Sequence, residues 1–249
     1  MSPGAMVTTR IVALFVGALL ALVPAPVLAC GAAYPGGPTV CNIERDAPHD
    51  GWFGERRPSP RPLARMFASY AFTSTALRFD GEKRVDLTRH AVFAGSELPL
   101  ATDLSLSFGA GGVLAGTIDR YDLGPGTSLF FGTSWRAIDE RDAPAFLQAN
   151  TTLSVTRTAT SLHESFTAFD LRASLVAGHN FGNVFTPYAV LRGFGGPVYW
   201  AGDIGTDIHK YQVGAGFSQM LPSRLFDFFV EGIPLGERGI AAGLGTTLF

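Results

Sequence analysis

The chain has 249 residues with 19 basic and 21 acidic side chains, so its formal net charge is −2. That balance lacks the basic excess with which a protein neutralises nucleic-acid phosphates, and nucleic acid is excluded as an expected partner. Only 16% of the residues are charged, against 30 Gly and 20 Phe, which suits a β-protein facing an apolar medium better than a soluble enzyme.

Residues 1–29 read as a secretory signal. Arg10 precedes an almost wholly apolar run over 11–28 that is broken by Pro24 and Pro26, and Val27, Leu28 and Ala29 offer a small-residue cleavage site. The run is near the lower length limit for a spanning helix, so cleavage is expected over retention. Cleavage after Ala29 makes Cys30 the first mature residue, and two readings of it stay open. Val27 to Cys30 has the form of a bacterial lipobox, with the bulky Leu28 where small residues are usual. Alternatively Cys30 forms a disulfide with Cys41, the other cysteine; the even count favours this in an oxidising compartment.

Residues 30–63 read as a linker. Pro35, Gly36, Gly37 and Pro38, then Pro58, Pro60 and Pro62, interrupt regular structure. Trp52 and Phe53 stand out in it as a local anchor.

From residue 64 the pattern acquires a period of two. Ten strands are predicted near 65–74, 87–98, 103–113, 127–137, 145–157, 165–179, 184–195, 208–220, 225–233 and 238–249. Most suit a tilted crossing of the outer-membrane hydrocarbon, which takes about 9–11 residues, whereas strands of soluble sandwiches are shorter. Alternate connections are tight (99–103, 140–144, 180–183, 221–224). The other set is longer and more polar (75–86, 114–126, 158–164, 196–207), and only 234–238 breaks it by being short. Short periplasmic turns and long outer loops are the expected asymmetry of a membrane barrel.

The faces sort in the same way. In 165–179, Thr167, Phe169, Leu171, Ala173, Leu175 and Ala177 oppose Asp170, Arg172 and Ser174. In 208–220, Tyr211, Val213, Ala215 and Phe217 oppose Lys210, Gln212, Gly214 and Ser218. In 225–233, Phe226, Phe228 and Val230 oppose Asp227, Phe229 and Glu231. A basic side chain facing the bilayer midplane costs about 2–4 kcal/mol. Arg136, Asp170, Arg172, Arg192, Lys210, Asp227 and Glu231 are therefore predicted to converge in the lumen. They either line a polar path or pair with one another and plug the barrel. The plug is favoured, because barrels of eight or so strands are filled by their own side chains. Tyr70, Phe72, Trp135, Phe185, Tyr199, Trp200 and Tyr211 fall near strand ends, as an interfacial aromatic girdle does.

With an export signal, an alternating strand array and a final aromatic, Phe249, the chain resembles the small outer-membrane β-barrel proteins of Gram-negative bacteria. The resemblance implies that Phe249 is part of a signal read by the barrel-assembly machinery, although Thr247, Gly245 and Gly243, in step with it, are not apolar. It also implies outer-membrane lipids as partners.

No chemistry is indicated. His163, Glu164 and Ser165 set a base, an acid and a hydroxyl side by side, but neighbouring strand residues point to opposite faces. Cys30 and Cys41 lack a His pair at ligand spacing, so no metal is expected. The Gly-rich stretches lack the Lys and the helix of a phosphate loop, so no cofactor is expected. The chain is expected to be all-β: a closed antiparallel transmembrane barrel of about ten strands over 64–249, with eight or twelve as near alternatives. It is read as a non-enzymatic structural, surface-interaction or narrow-channel protein of the bacterial outer membrane. A lipid-modifying hydrolase and a soluble secreted β-sandwich are the alternatives.

Overall fold

The computed structural model describes residues 63–80, 83–101, 103–140, 143–181, 184–221 and 226–248, and every regular element among them is a β-strand. The expectations for the signal region, the linker, Cys30, Cys41 and Phe249 fall outside these residues. The strands are β1 (Ala64–Phe79), β2 (Arg84–Pro99), β3 (Leu104–Ile118), β4 (Tyr121–Leu123), β5 (Thr127–Ile138), β6 (Phe146–Ala159) and β7 (Ser165–Gly178). They continue as β8 (Phe185–Gly195), β9 (Val198–Trp200), β10 (Asp203–Asp207), β11 (Tyr211–Met220), β12 (Asp227–Gly236) and β13 (Arg238–Leu248).

Ten of them form the wall, in the order β1, β2, β3, β5, β6, β7, β8, β11, β12, β13, all antiparallel. The wall closes where β13 returns to β1 through eleven residue pairs, from Ala64 opposite Leu248 to Ser74 opposite Arg238. A sandwich would leave those edges open, so that alternative does not hold. The ten wall strands are the ten predicted from periodicity, several extended by a few residues. We call the end where β1 starts and β13 finishes the terminal end, and the opposite one the far end.

The three remaining strands change the shape of the far end. β9 continues β8 past Gly196 and Pro197 and stays paired with β7. The chain turns at Ala201 and Gly202, and β10 descends beside β9. β10 does not meet β12. It pairs with β1 instead, Leu77 opposite Asp207 and Phe79 opposite Gly205. β4 extends β5 upward beside β3, and Leu123 bridges to Thr160 at the end of β6. The far end is thus a narrower collar of eight strands: β1, β2, β3, β4, β6, β7, β9 and β10. The β12–β13 hairpin ends beneath it. Its turn residue Gly236 has a φ of 84°, and a Cβ there would lie 1.9 Å from the Tyr211 carbonyl oxygen. Only glycine tolerates both conditions.

Strand lengths fit this division. β8, β11, β12 and β13 have 10 or 11 residues, about what a tilted bilayer crossing needs. β1, β2, β3, β6 and β7 have 14–16 and run on into the collar.

Alternation decides what each face carries. On β5, Ser128, Phe130 and Ser134 are buried, while Leu129, Phe131 and Trp135 are 60%, 52% and 51% exposed. Exposed Leu153, Leu171, Leu175, Leu191, Ile240 and Leu244 continue this apolar belt around the wall. So large a contiguous apolar surface is not that of a water-soluble monomer. It is the face a membrane barrel turns to lipid. Phe229 does lie on the inner face beside Asp227 and Glu231, where it packs with Ala71, Ile233 and Ala241.

Inside the wall, bulk and glycine are complementary. Gly95 of β2 faces Gly109 of β3, and the rings of Phe67 and Phe130, 5.9 Å apart, close over them. A Cβ on Gly109 would come within 2.6 Å of the Phe130 ring and 2.3 Å of the Ala94 carbonyl oxygen. Gly109→Ala is expected to cost about 1–3 kcal/mol, as overpacking does. Gly232→Ala, whose methyl group would meet nothing within 4 Å, should leave stability unchanged. The temperature at which the compact electrophoretic band gives way to the slow, unfolded one measures both.

Candidate functional site: the barrel interior

The interior is filled in layers, and the inward-facing positions of the strands set what each layer holds. Nearest the terminal end lies Arg65 of β1, only 2% exposed. Its guanidinium stands 3.8 Å from Glu97 of β2 and 3.9 Å from Asp227 of β12. Ser105 donates to Glu97, and Ser218 donates to Asp227 at 3.4 Å. At the same end Arg136 lies over the Phe146 ring, 4.7 Å from its centroid, and donates to Gln148 at 3.3 Å. The chain of amides continues from Gln148 to Asn150 at 2.8 Å and on to Ser174 at 3.1 Å.

The middle layer is a two-pronged ion pair. Arg192 of β8 donates from Nη1 and Nη2 to the two oxygens of Glu231 on β12, at 2.7 and 2.9 Å. Both side chains are buried. This fork geometry gives the strong form of a carboxylate–guanidinium contact.

Gln212 joins this pair to the next layer. It accepts from Arg192 at 3.3 Å and donates to Glu237 at 2.8 Å. Glu237 belongs to the β12–β13 turn, and because that turn is tucked under the collar its carboxylate points inward. There it also accepts from Arg172 of β7 at 3.0 Å and Arg89 of β2 at 3.4 Å. Arg172 donates to Asp170 as well and lies 4.6 Å from the centre of the Phe194 ring. Above this network sits the apolar plug of the collar: Leu77, Phe79, Val85, Leu87, Ile118, Leu123, Phe166, Ala168, Val198 and Trp200. Beneath the plug, Arg89, Asp170, Arg172, Thr73, Ser128 and Thr156 help to line a cavity of about 50 Å³. That is room for a few waters.

Arg136, Asp170, Arg172, Arg192, Asp227 and Glu231, predicted to face the lumen, do so in the structure. Lys210 does not: it is exposed in the connector between β10 and β11, where the chain leaves β1 and turns to join β8. The regular alternation on which its placement relied is broken there. Trp200, expected in the girdle, is 4% exposed and belongs to the plug, packed on Phe79. Tyr70, Trp135, Phe185, Tyr199 and Tyr211 do lie on the outer surface. Arg65, Arg89 and Glu97 escaped the sequence reading, yet they are in step with the inward Phe67, Ala91 and Gly95 and could have been found by parity. Glu237, in a turn, carries no such signal.

His163 has a φ of 63° in the turn between β6 and β7, and its backbone N–H donates to the Thr160 carbonyl oxygen at 2.9 Å. Among the described residues no hydrogen bond joins the side chains of His163, Glu164 and Ser165. Between β7 and β8, Asn180 donates to Glu140 from its backbone N–H at 2.6 Å and from its amide at 3.1 Å. Glu140 thereby ties two turns of the terminal end together. Among the described residues no cluster of three or more His, Cys, Asp or Glu side chains could hold a metal ion.

The Arg192–Glu231 pair makes a quantitative prediction. Arg192→Met alone strands a buried carboxylate and should lower stability by about 3–5 kcal/mol. Arg192→Met combined with Glu231→Met should recover most of that loss. Denaturant titration of the protein refolded in detergent micelles checks both, and an additive double variant would show that the pair is not coupled.

No family model and no curated protein matches this chain. Among solved structures it is similar to the β domain of the Bordetella autotransporter BrkA, at 12% identity and a TM-score of 0.46, over 75% of this chain and 100% of that one. It is also similar to the outer membrane protease OmpT from Escherichia coli, at 9% identity and a TM-score of 0.44, over 76% and 98% of the two chains. The translocator domain of the autotransporter NalP from Neisseria meningitidis gives 10% identity and a TM-score of 0.42, over 76% and 89%.

Proposed function

We propose that this protein is a sealed barrel of the bacterial outer membrane, with its collar outside the bilayer and a structural or surface-interaction role. The apolar belt around the wall supports the membrane setting. One observation carries the sealed state: the ten-strand wall narrows into an eight-strand collar whose bore is filled by the plug around Phe79, Ile118, Phe166 and Trp200. Below it, Arg65, Arg89, Arg136, Arg172 and Arg192 lie against carboxylates, amides or aromatic rings. The void beneath the plug, about 50 Å³, has room for a few waters.

The outward face of the collar fits exposure to water. It carries Arg78, Arg84, Asp86 and Asp203, all exposed. Tyr199 and Ile204 add a small apolar rim on the β9–β10 hairpin, 42% and 49% exposed, which offers a contact for a surface partner.

Reconstituted in a planar bilayer, the purified protein is expected to leave the current at the protein-free baseline. Stepwise openings that change with Arg172→Gln or Asp227→Asn would favour the narrow-channel reading instead. The same preparation should run as a compact band that slows on boiling; a single unshifted band from a soluble fraction would remove the membrane reading altogether.

A further inference from the structure

Strand registers place two arginines at equivalent levels of the outer surface. Arg157 on β6 is opposite Thr127 of β5 and Thr167 of β7, so one cation stands between two hydroxyls. The next outward-facing row toward the terminal end is Leu129, Val155 and Phe169. Further round the barrel, Arg238 on β13 is opposite Ser74 of β1, and Ser74 is opposite Thr88 of β2. The row beneath is Ile240, Phe72 and His90, with the hydroxyl of Tyr70 2.6 Å from the His90 ring. The apolar belt gives way within one row to an arginine between two hydroxyls at Arg157, and to an arginine beside one at Arg238.

Both arginines are exposed, and among the described residues neither has a carboxylate partner. Asp119 and Asp203 lie at the tips of the collar, Asp86 lies one outward row above Thr88, and Asp122 continues the Arg238 row two strands beyond Thr88. On the strands next to each arginine the row holds hydroxyls and no acid, while the rim above is mixed. A guanidinium offers a planar fork of donors that matches a phosphate, and neighbouring hydroxyls add further donors. The apolar row below supplies a surface for acyl chains. Cation, hydroxyls and apolar stripe thus come in the order in which a lipid presents phosphate, ester region and tail.

We propose that the Arg157 and Arg238 rows bind the phosphate groups of phosphorylated lipids in the leaflet around the far end of the wall. The proposal rests on the membrane reading above. Each row takes one headgroup: the arginine pairs with the phosphate, and Thr127 and Thr167, or Ser74, complete its hydrogen bonds.

Native mass spectrometry of the detergent-solubilised protein, titrated with phosphatidic acid, phosphatidylcholine or oleic acid, tests it. Phosphatidic acid is expected to bind in preference to both others. Arg157→Gln and Arg238→Gln should each weaken that binding about fivefold, the scale of one basic residue at an anionic surface. Lys at either position should restore part of the loss, and millimolar inorganic phosphate should not displace the lipid. Unchanged affinity in both Gln variants, or equal binding of oleic acid, overturns the proposal. So does displacement by inorganic phosphate, which would identify a free-anion site. A compact heat-modifiable band certifies that each variant is folded. Its presence with no lipid selectivity sinks this inference alone, whereas its absence in the unaltered protein sinks the membrane reading with it.

Discussion

A β-sheet surrounded by hydrocarbon has no solvent for its edge N–H and C=O groups, so it must close on itself. Here that constraint converges on one strand. β1 pairs with β2 along one side, while its other side is shared: the lower part takes β13 and the upper part takes β10. The wall circumference of ten strands and the collar circumference of eight are both set by which partner β1 has at that height. The β12–β13 hairpin is the difference between them, a two-strand insert that stops where the lipid-facing surface stops.

Closure fixes the circumference, and the interior then has to be filled to match. Glycine pairs make room for phenylalanine rings at Gly95 and Gly109, so that large and small residues interlock around the inner wall. Charged side chains share the remaining space with apolar clusters and with Ser, Thr, Asn and Gln. They are admissible there because they come in opposed sets: Arg192 with Glu231, Arg172 and Arg89 with Glu237, Arg65 with Glu97 and Asp227. Buried ion pairs often contribute little net stability but are costly to break. Their arrangement here joins β2, β7, β8, β11 and the β12–β13 turn through Gln212 and Glu237, strands that do not all touch in the sheet. The network therefore fixes how far the hairpin insert can rise.

The wall was legible in the sequence because each of its ten strands is long enough to show a period of two, and because the two faces meet such different surroundings. Leu171 and Leu175 against Arg172 and Ser174 is as clear on paper as in the structure. The collar was not legible. β4 and β9 have three residues and β10 has five, too few to establish a period inside polar loops. Trp200 and Lys210 were misplaced for that reason, one lying in a collar strand and the other in the bend after it. The short connection at 234–238 was visible as an exception, but its meaning depends on β10 crossing above it to β1. Glu237, on which the far layer of the charge network converges, was invisible until that crossing was seen.

The shared seam along β1 also bears on the order in which the molecule can be completed. The collar ring needs the chain only as far as Asp207, the last residue of β10 paired with β1. The wall ring needs it as far as Leu248. A chain emerging from its N-terminal side can therefore shut the narrow ring while the wide one still gapes by the width of a hairpin. β12 and β13 occupy that gap as a keystone does, setting Glu231 and Glu237 against arginines of β2, β7 and β8. The two strands by which the wide ring exceeds the narrow one thus bring acids to the arginines of the others.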